Sequence, residues 1–154
     1  CNTTDINSAS IVISFLEEEL KRSKVPGVGL SANQIGINAR VCIIRSDVSY
    51  NLVNPRIILQ RDLKLFRGEG CLSYPGKCVA TKRYNEIHVV DDLNPKGVSV
   101  RAFNAVAIQH ELNHIDGKNM FDYQVKIPSL YEPCWCGSQK RFNQCCAGKE
   151  ISFG

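Results

Sequence analysis

The pattern HELNH at residues 110–114 constrains this 154-residue sequence more than any other feature. Its two histidines stand four residues apart, so on an α-helix both imidazoles project from one face and can bind a single metal ion, with Glu111 beside them as acid/base. The surrounding residues independently predict such a helix, from about Phe103 to Asp116, with Gly117 as its C-terminal stop. Two hydrogen-bonded histidines without a metal are the alternative interpretation.

A catalytic metal site needs a third protein ligand and an open fourth position. The sequence has no histidine after His114, and the acidic residues that follow have no recognisable spacing, so the third ligand is expected upstream. The stretch EGCLS at 69–73 supplies a candidate, Cys71. A single cysteine is more often a buried core thiol, but the pairing with HELNH favours a ligand.

The rest of the sequence predicts an α+β fold. A composition with 44% hydrophobic and 22% charged residues suits one globular domain with a small appendage. A first helix is expected from about Ser8 to Ser23, capped by Asn7 or Ser8, and the glycine-rich segment 27–36 is expected to form a tight turn or an irregular edge. Short spacings favour antiparallel pairing of the strand-like segments at 39–45, 51–60, 77–83, 85–92 and 97–103.

Three motifs resemble, in order and spacing, the signature motifs of the peptide deformylase family: GVGLSANQ at 27–34, EGCLS at 69–73 and QHELNH at 109–114. The resemblance spans roughly residues 5–123. It implies antiparallel β-sheets around a central metal-binding helix, in a catalytic domain over residues 1–123. It also implies that the chain removes the formyl group from formyl-methionine of nascent polypeptides.

The resemblance assigns roles to individual residues. Cys71, His110 and His114 would bind the metal, which is typically iron(II), although zinc, nickel or cobalt suits the same ligands. Glu111 would take a proton from metal-bound water and return it to the leaving amine. The Gln34 side chain and the backbone N–H of Leu72 would face the formyl oxygen.

Apolar and small residues are expected around the methionine side chain of the substrate. The resemblance places Val28, Phe103, Val106 and Ala107 there, and each could equally belong to the ordinary core. Gly29 and Gly70 are expected to bind substrate for another reason, because no side chain there blocks a peptide backbone lying close by. Two positions depart from the family pattern. Ser31 replaces the usual alanine and Asn113 the common aspartate, and we expect modest tuning from both.

The last part of the sequence concentrates four of the eight cysteines, Cys134, Cys136, Cys145 and Cys146. Their spacing resembles the SEC-C motif and predicts a structural tetrahedral zinc site in a module over residues 133–149, after a linker at 124–132. A disulfide-bonded knot is the alternative.

We expect the module to dock to the ribosome or to a protein at its exit site, so removing residues 133–154 should leave turnover of a free peptide nearly unchanged. The expected contact residues are Trp135, Lys140, Arg141 and Phe142, with packing over the zinc as the alternative for the two aromatic residues.

Two other functions fit parts of this pattern. A binding protein could keep the fold without the reaction. This is disfavoured because all five residues expected to carry the chemistry are present: Gln34, Cys71, His110, Glu111 and His114. An ordinary zinc peptidase is disfavoured by the cysteine ligand. The clustered cysteines and the absence of a signal-peptide pattern predict a reducing, cytoplasmic location. The sequence predicts no membrane span. Its net charge of +4 is compatible with a weak polyanion contact without being diagnostic, and we expect no sequence-specific nucleic-acid partner.

Overall fold

The computed structural model describes residues 1–153 and shows an α+β architecture. Single-turn 3-10 helices lie at Ala32–Ile35, Met120–Tyr123 and Phe142–Gln144. The longer elements, in chain order, are α1 (Ile6–Arg22), β1 (Gly29–Ser31), β2 (Val41–Arg45), β3 (Ser49–Val53), β4 (Arg56–Cys71), β5 (Tyr74–Val90), β6 (Val98–Arg101), α2 (Ala102–Ile115) and β7 (Glu150–Ile151).

The strands form two sheets. The first has the order β1-β2-β3, and the second has the order β6-β5-β4-β7. Neighbouring strands pair antiparallel, except that β7 runs parallel to β4. The predicted α+β class with antiparallel sheets is therefore confirmed.

The helix α2 packs against strands of both sheets. Ile108 and Leu112 of α2 share one apolar cluster with Cys42 and Ile44 of β2 and with Ile87 of β5. Most residues of α2 are buried, including both histidines and the glutamate between them. Because buried polar groups are costly unless they find partners, the HELNH side chains must be satisfied by one another, by neighbouring residues or by a ligand.

The first helix begins earlier than predicted. Its N-cap is Asp5, whose carboxylate accepts a hydrogen bond from the backbone N–H of Ser8, so the predicted cap at Asn7 or Ser8 is wrong. The helix covers the first sheet through Ala9 and Leu16, both fully buried. Among the described residues, neither helix is both long and apolar enough to cross a bilayer.

The predicted strand at 51–60 is divided in the structure. β3 ends at Val53 and β4 begins at Arg56, with Asn54 at a φ of +50° and Pro55 between them. Proline lacks the N–H that a ladder needs and asparagine tolerates the left-handed region. The chain therefore changes sheets at these two residues.

Two other strand predictions were too short. The segments at 77–83 and 85–92 form one strand, β5, and the stretch 61–70, not predicted as a strand, belongs to β4. Much of the β4–β5 hairpin is exposed on both faces, so the alternation of apolar and polar residues that marks a half-buried strand is weak there. Within the glycine-rich segment 27–36, the expected irregular edge is the short edge strand β1 followed by a 3-10 turn.

Candidate active site and cysteine cluster

The structure brings the three predicted metal ligands together. Cys71 ends β4, and His110 and His114 lie one turn apart on α2. The Cys71 sulfur lies 3.2 Å from His114 Nε2, which lies 3.1 Å from His110 Nε2. All three ligand atoms lie within 4.8 Å of one another. The cluster joins residues separated by about forty positions in the chain.

This geometry suits a single metal ion. A tetrahedral centre with bonds of about 2.0 Å to nitrogen and 2.3 Å to sulfur separates its ligand atoms by about 3.3–3.6 Å. The observed separations are slightly shorter than these. The chemistry of the three ligands also suits a metal. Burial alone would raise the pKa of Cys71, but hydrogen bonds with His110 and His114 lower it to about 5. The low pKa favours the thiolate, which is the form that binds metal. Metal binding at these residues stays a prediction.

A buried carboxylate orients one of the histidines. Nδ1 of His110 donates to Glu69 Oε1 at 2.8 Å, which leaves Nε2 facing Cys71 and His114. Arg83 and Thr81 donate to the same carboxylate. Burial alone would raise the pKa of Glu69, but these hydrogen bonds bring it down to about 2. Sequence analysis missed this network, although Glu69 begins the EGCLS motif itself.

Asn113 takes part in the same network. Its Oδ1 accepts from Arg83 Nη1 at 2.5 Å and its Nδ2 donates to the Tyr123 hydroxyl at 3.1 Å. An aspartate here would keep the acceptor for Arg83, so the asparagine changes the charge of the network and keeps its connections. Asn33 supports the helix from the other side, where its amide donates to the backbone carbonyl of His114.

Glu111 is held in a tight, buried position. Its exposed fraction is 4%, and Oε2 has no hydrogen-bond partner among the described residues. Burial raises its pKa to about 7. A Cβ atom at Gly29 would come within 2.9 Å of Glu111 Oε1, so the close approach of the backbone requires glycine there. A carboxyl group with a pKa near neutrality and an unpartnered oxygen can accept and release a proton.

Cys71, His110 and Glu111 face a cavity of about 440 Å³. Its wall includes His110, Glu111, Cys71 and Leu72, and also all six predicted pocket residues: Val28, Gly29, Gly70, Phe103, Val106 and Ala107. Their role in substrate binding stays a prediction. The wall also contains residues that sequence analysis did not single out, among them Phe66, Tyr74 and Phe153.

Gln34 lies beside this cavity and is not among its lining residues. Its Nε2 donates to the Ser73 hydroxyl at 3.0 Å and lies 3.6 Å from the Cys71 sulfur. Its Oε1 accepts from the backbone N–H of Ser31 and from the Ser31 hydroxyl. The serine that departs from the family pattern therefore helps to orient the Gln34 amide.

The four C-terminal cysteines also form a cluster, with all sulfur atoms within 4.8 Å of one another. Cys136 and Cys145 are 3.5 Å apart, and Cys145 and Cys146 are 3.7 Å apart. Tetrahedral zinc–thiolate sites separate their sulfur atoms by about 3.8 Å, whereas a disulfide separates them by about 2.05 Å. The cluster could therefore hold a metal ion.

The structure corrects the predicted contact residues of the module. Phe142 has an exposed fraction of 3%, so it belongs to the interior of the module and offers no surface to a partner. Trp135 is partly buried, with the Lys82 ammonium 5.2 Å from its ring centroid. Phe142 therefore takes a packing role, whereas a partner contact by Trp135 stays a prediction, and Lys140 and Arg141 are exposed.

The raised pKa of Glu111 predicts a pH-dependent stability for the metal-free protein. The folded state holds this proton up to a pH of about 7, whereas the usual pKa is 4.5, so stability should fall as the pH rises between these values. Relative to the wild type, Glu111→Gln should gain up to about 3 kcal/mol at pH 8 and little at pH 4. Denaturant unfolding at both pH values measures this, with the exposed Glu18→Gln as control. A pH-independent difference would contradict the assignment.

The sequence matches the family described as polypeptide deformylase over residues 2–128 and the SEC-C motif over residues 132–148. It is similar to a peptide deformylase of Endomicrobium trichonymphae, at 40% identity over 104 residues, covering 63% of this chain and 61% of that protein. It is also similar to peptide deformylase 2 of Streptomyces avermitilis, at 43% identity over 102 residues, covering 59% of this chain and 54% of that protein. The chain thus spans about three fifths or less of the length of these relatives.

Solved structures of peptide deformylases are also similar to this chain. The peptide deformylase of Thermus thermophilus matches with a TM-score of 0.69 and 29% identity, covering 79% of this chain and 75% of that chain. A peptide deformylase of Synechococcus elongatus in complex with actinonin matches with a TM-score of 0.73 and 25% identity, covering 82% and 73%. The similarity therefore extends to the three-dimensional arrangement of most of the chain.

Proposed function

We propose that this chain, which belongs to the polypeptide deformylase family, removes the formyl group from N-terminal formyl-methionine of nascent polypeptides. One observation carries the proposal: Cys71, His110 and Glu111 line one largely apolar cavity, His114 belongs to the same ligand cluster as Cys71 and His110, and Oε2 of Glu111 has no hydrogen-bond partner among the described residues. Family membership alone would establish only the fold, because function depends on the residues of the site.

Cys71, His110 and His114 would hold one divalent ion, and we propose iron(II), as the family resemblance implies. One thiolate and two imidazoles also suit zinc, nickel and cobalt. When bound, the ion would lower the pKa of a water molecule and polarise the formyl oxygen. Glu69 contributes by fixing the orientation of the His110 ring.

Glu111 moves the proton in this reaction. Its carboxylate accepts a proton from the water that attacks the formyl carbon. It then donates that proton to the amine nitrogen of methionine as the C–N bond breaks, which yields formate and a free N-terminus. Burial supports both roles, because it favours the protonated form of this carboxyl group and so helps Glu111 to take the proton from water.

Two donors would stabilise the negative charge that develops on the formyl oxygen. These are the backbone N–H of Leu72, a wall residue, and Nε2 of Gln34, which lies close to Cys71. The Gln34 amide donates to Ser73 here, so substrate would replace that contact. The apolar wall formed by Val28, Phe103 and Val106 would receive the methionine side chain.

Release of formate from formyl-Met-Ala-Ser tests the proposal. The protein is purified anaerobically, its metal content is measured, and formate production is compared with cleavage of the unformylated peptide. We expect formate and no peptide-bond cleavage. Hydrolysis of internal peptide bonds would indicate a peptidase, and no turnover by metal-loaded protein would indicate a binding protein.

We also propose that zinc occupies the four-cysteine cluster as a structural ion, because the cluster leaves no ligand position for substrate. We propose a reducing, cytoplasmic location as well, because cysteines that ligate a metal must stay reduced. The exposed Lys140 and Arg141 would dock the module to the ribosome or to a protein at its exit site. Replacing both by glutamate should reduce co-sedimentation with translating ribosomes, whereas replacing Lys21 and Arg22 on α1 should not. Equal sedimentation of the two variants would contradict this docking surface.

A further inference from the structure

The segment that follows the four cysteines packs against β4 and α2, the elements that carry the candidate metal ligands. Residues 150 and 151 form β7, which pairs with Leu65 and Phe66 of β4. Ile151 is buried against Phe66 and Val106, and the Glu150 carboxylate accepts from Nε of Arg67 at 2.9 Å. Backbone pairing, apolar burial and an ion pair therefore fasten this segment to the strand that ends at Cys71.

This attachment places Phe153 in the cavity wall. Its ring centroid lies 4.9 Å from that of Phe66 and 5.2 Å from that of Phe103. The third pair, Phe66 and Phe103, is 6.1 Å apart, so the three rings form a continuous aromatic wall. Phe153 is nevertheless 61% exposed, which leaves part of its ring available to a ligand.

We propose that Phe153 is a substrate-contacting residue that sets which first side chain the site accepts, and that the four-cysteine module holds it in position. The proposal rests on the proposed function for the identity of the substrate. An aromatic wall suits a thioether, because sulfur gains additional attraction at the edge of an aromatic ring. Phe153 would therefore favour methionine over an isosteric side chain without sulfur.

The connection to the module is short. Only residues 147–149 separate Cys146 from β7, so the path of the last strand depends on where Cys146 is held. Trp135 fixes the other end of the module to β5 through its contact with Lys82. Loss of the module's metal would free residues 133–149 and leave β7 held by its own contacts with β4 alone, which weakens the constraint on Phe153. Removing residues 133–154 would also delete Phe153. The expectation from the sequence, that this truncation leaves turnover of a free peptide nearly unchanged, is therefore replaced by an expected loss of substrate binding.

Substitution at Phe153 tests the contact. Phe153→Ala should raise KM for formyl-Met-Ala-Ser by about 2- to 10-fold while kcat changes less than twofold, because the contact binds substrate without touching the reacting atoms. Phe153→Leu should restore much of the affinity but lose the preference for methionine over norleucine. Tyr131→Ala, an exposed aromatic residue of the linker, is the matched control. Identical KM values and identical preferences in all four proteins would overturn the proposal.

A second variant tests the coupling to the module. In a Cys136→Ser/Cys145→Ser protein with the catalytic metal retained, the emission of Trp135, the single tryptophan, should change. KM should rise as it does in Phe153→Ala, and combining the substitutions should add little further. A changed emission with an unchanged KM would overturn the coupling.

Equilibrium binding separates this proposal from the proposed function. Calorimetric titration with the unformylated product Met-Ala-Ser reports the pocket contact without any turnover. If the wild type releases no formate but Phe153→Ala weakens product binding, the proposed function fails and the contact stands. If formate is released and Phe153→Ala binds the product as the wild type does, the contact fails alone.

Discussion

Glu111→Gln should retain the fold and the bound metal and lose turnover by at least 10²–10⁴-fold, because one carboxyl group serves two proton transfers. The amide keeps the shape of the side chain in its buried position but cannot exchange a proton. Steady-state kinetics on formyl-Met-Ala-Ser at equal metal content measures the loss. Near-normal activity would falsify the assigned role.

The matched control for this substitution is Glu18→Gln, which makes the same chemical change on the exposed face of α1. It should leave turnover and metal content unchanged. Because burial raises the pKa of Glu111, the glutamine variant should also be at least as stable as the wild type at neutral pH without metal. Lost activity in a stabilised protein would separate the chemical role of Glu111 from any structural one.

Cys71→Ala should lose the catalytic metal and with it nearly all activity. In the proposed site the thiolate is one of three ligands, and the two imidazoles alone would hold the ion weakly. Cys71→Asp should retain some metal with a changed preference, because a hard oxygen replaces a soft sulfur. Metal analysis after dialysis, together with formate release, measures both effects, and Cys1→Ala is the control at an exposed thiol.

The same ligand predicts oxidative sensitivity. A thiolate beside an open metal position is accessible to peroxide, and iron(II) is itself oxidisable, so iron-loaded protein should lose activity faster than nickel-loaded protein. Activity and metal content that survive Cys71→Ala would show that the cysteine of the EGCLS motif has another role.

Features encoded by local spacing were predicted well. The i, i+4 histidines and the helix that carries them depend on residues within one turn of each other, and α2 lies within one residue of its predicted bounds. Gly117 has the left-handed conformation expected of a helix stop, with φ +78°. The family resemblance read from three short motifs is confirmed by comparison with known proteins.

Features that depend on distant partners were not predicted. The continuity of β4 and β5 comes from their pairing with each other along a hairpin in which consecutive residues 58–63 and 75–78 are exposed, so the side-chain pattern carries little information there. The buried role of Glu69 depends on Arg83 and Thr81 across that hairpin and on His110 from another element. A sequence pattern does not specify which charged residue becomes buried, since that depends on the partner that satisfies it.

The same distinction applies to the site. The sequence by itself determined the candidate ligand types, the acid/base candidate and the four-cysteine spacing, because chemistry and local geometry specify each of them. Only the tertiary structure decided that Gln34 is held by Ser31 and Ser73, that Phe142 is interior, and that Phe153 lines the cavity. Phe153 meets Phe66 only because β7 adds to the edge of β4, and strand pairing over such a separation is set by the whole packed core and not by either segment alone.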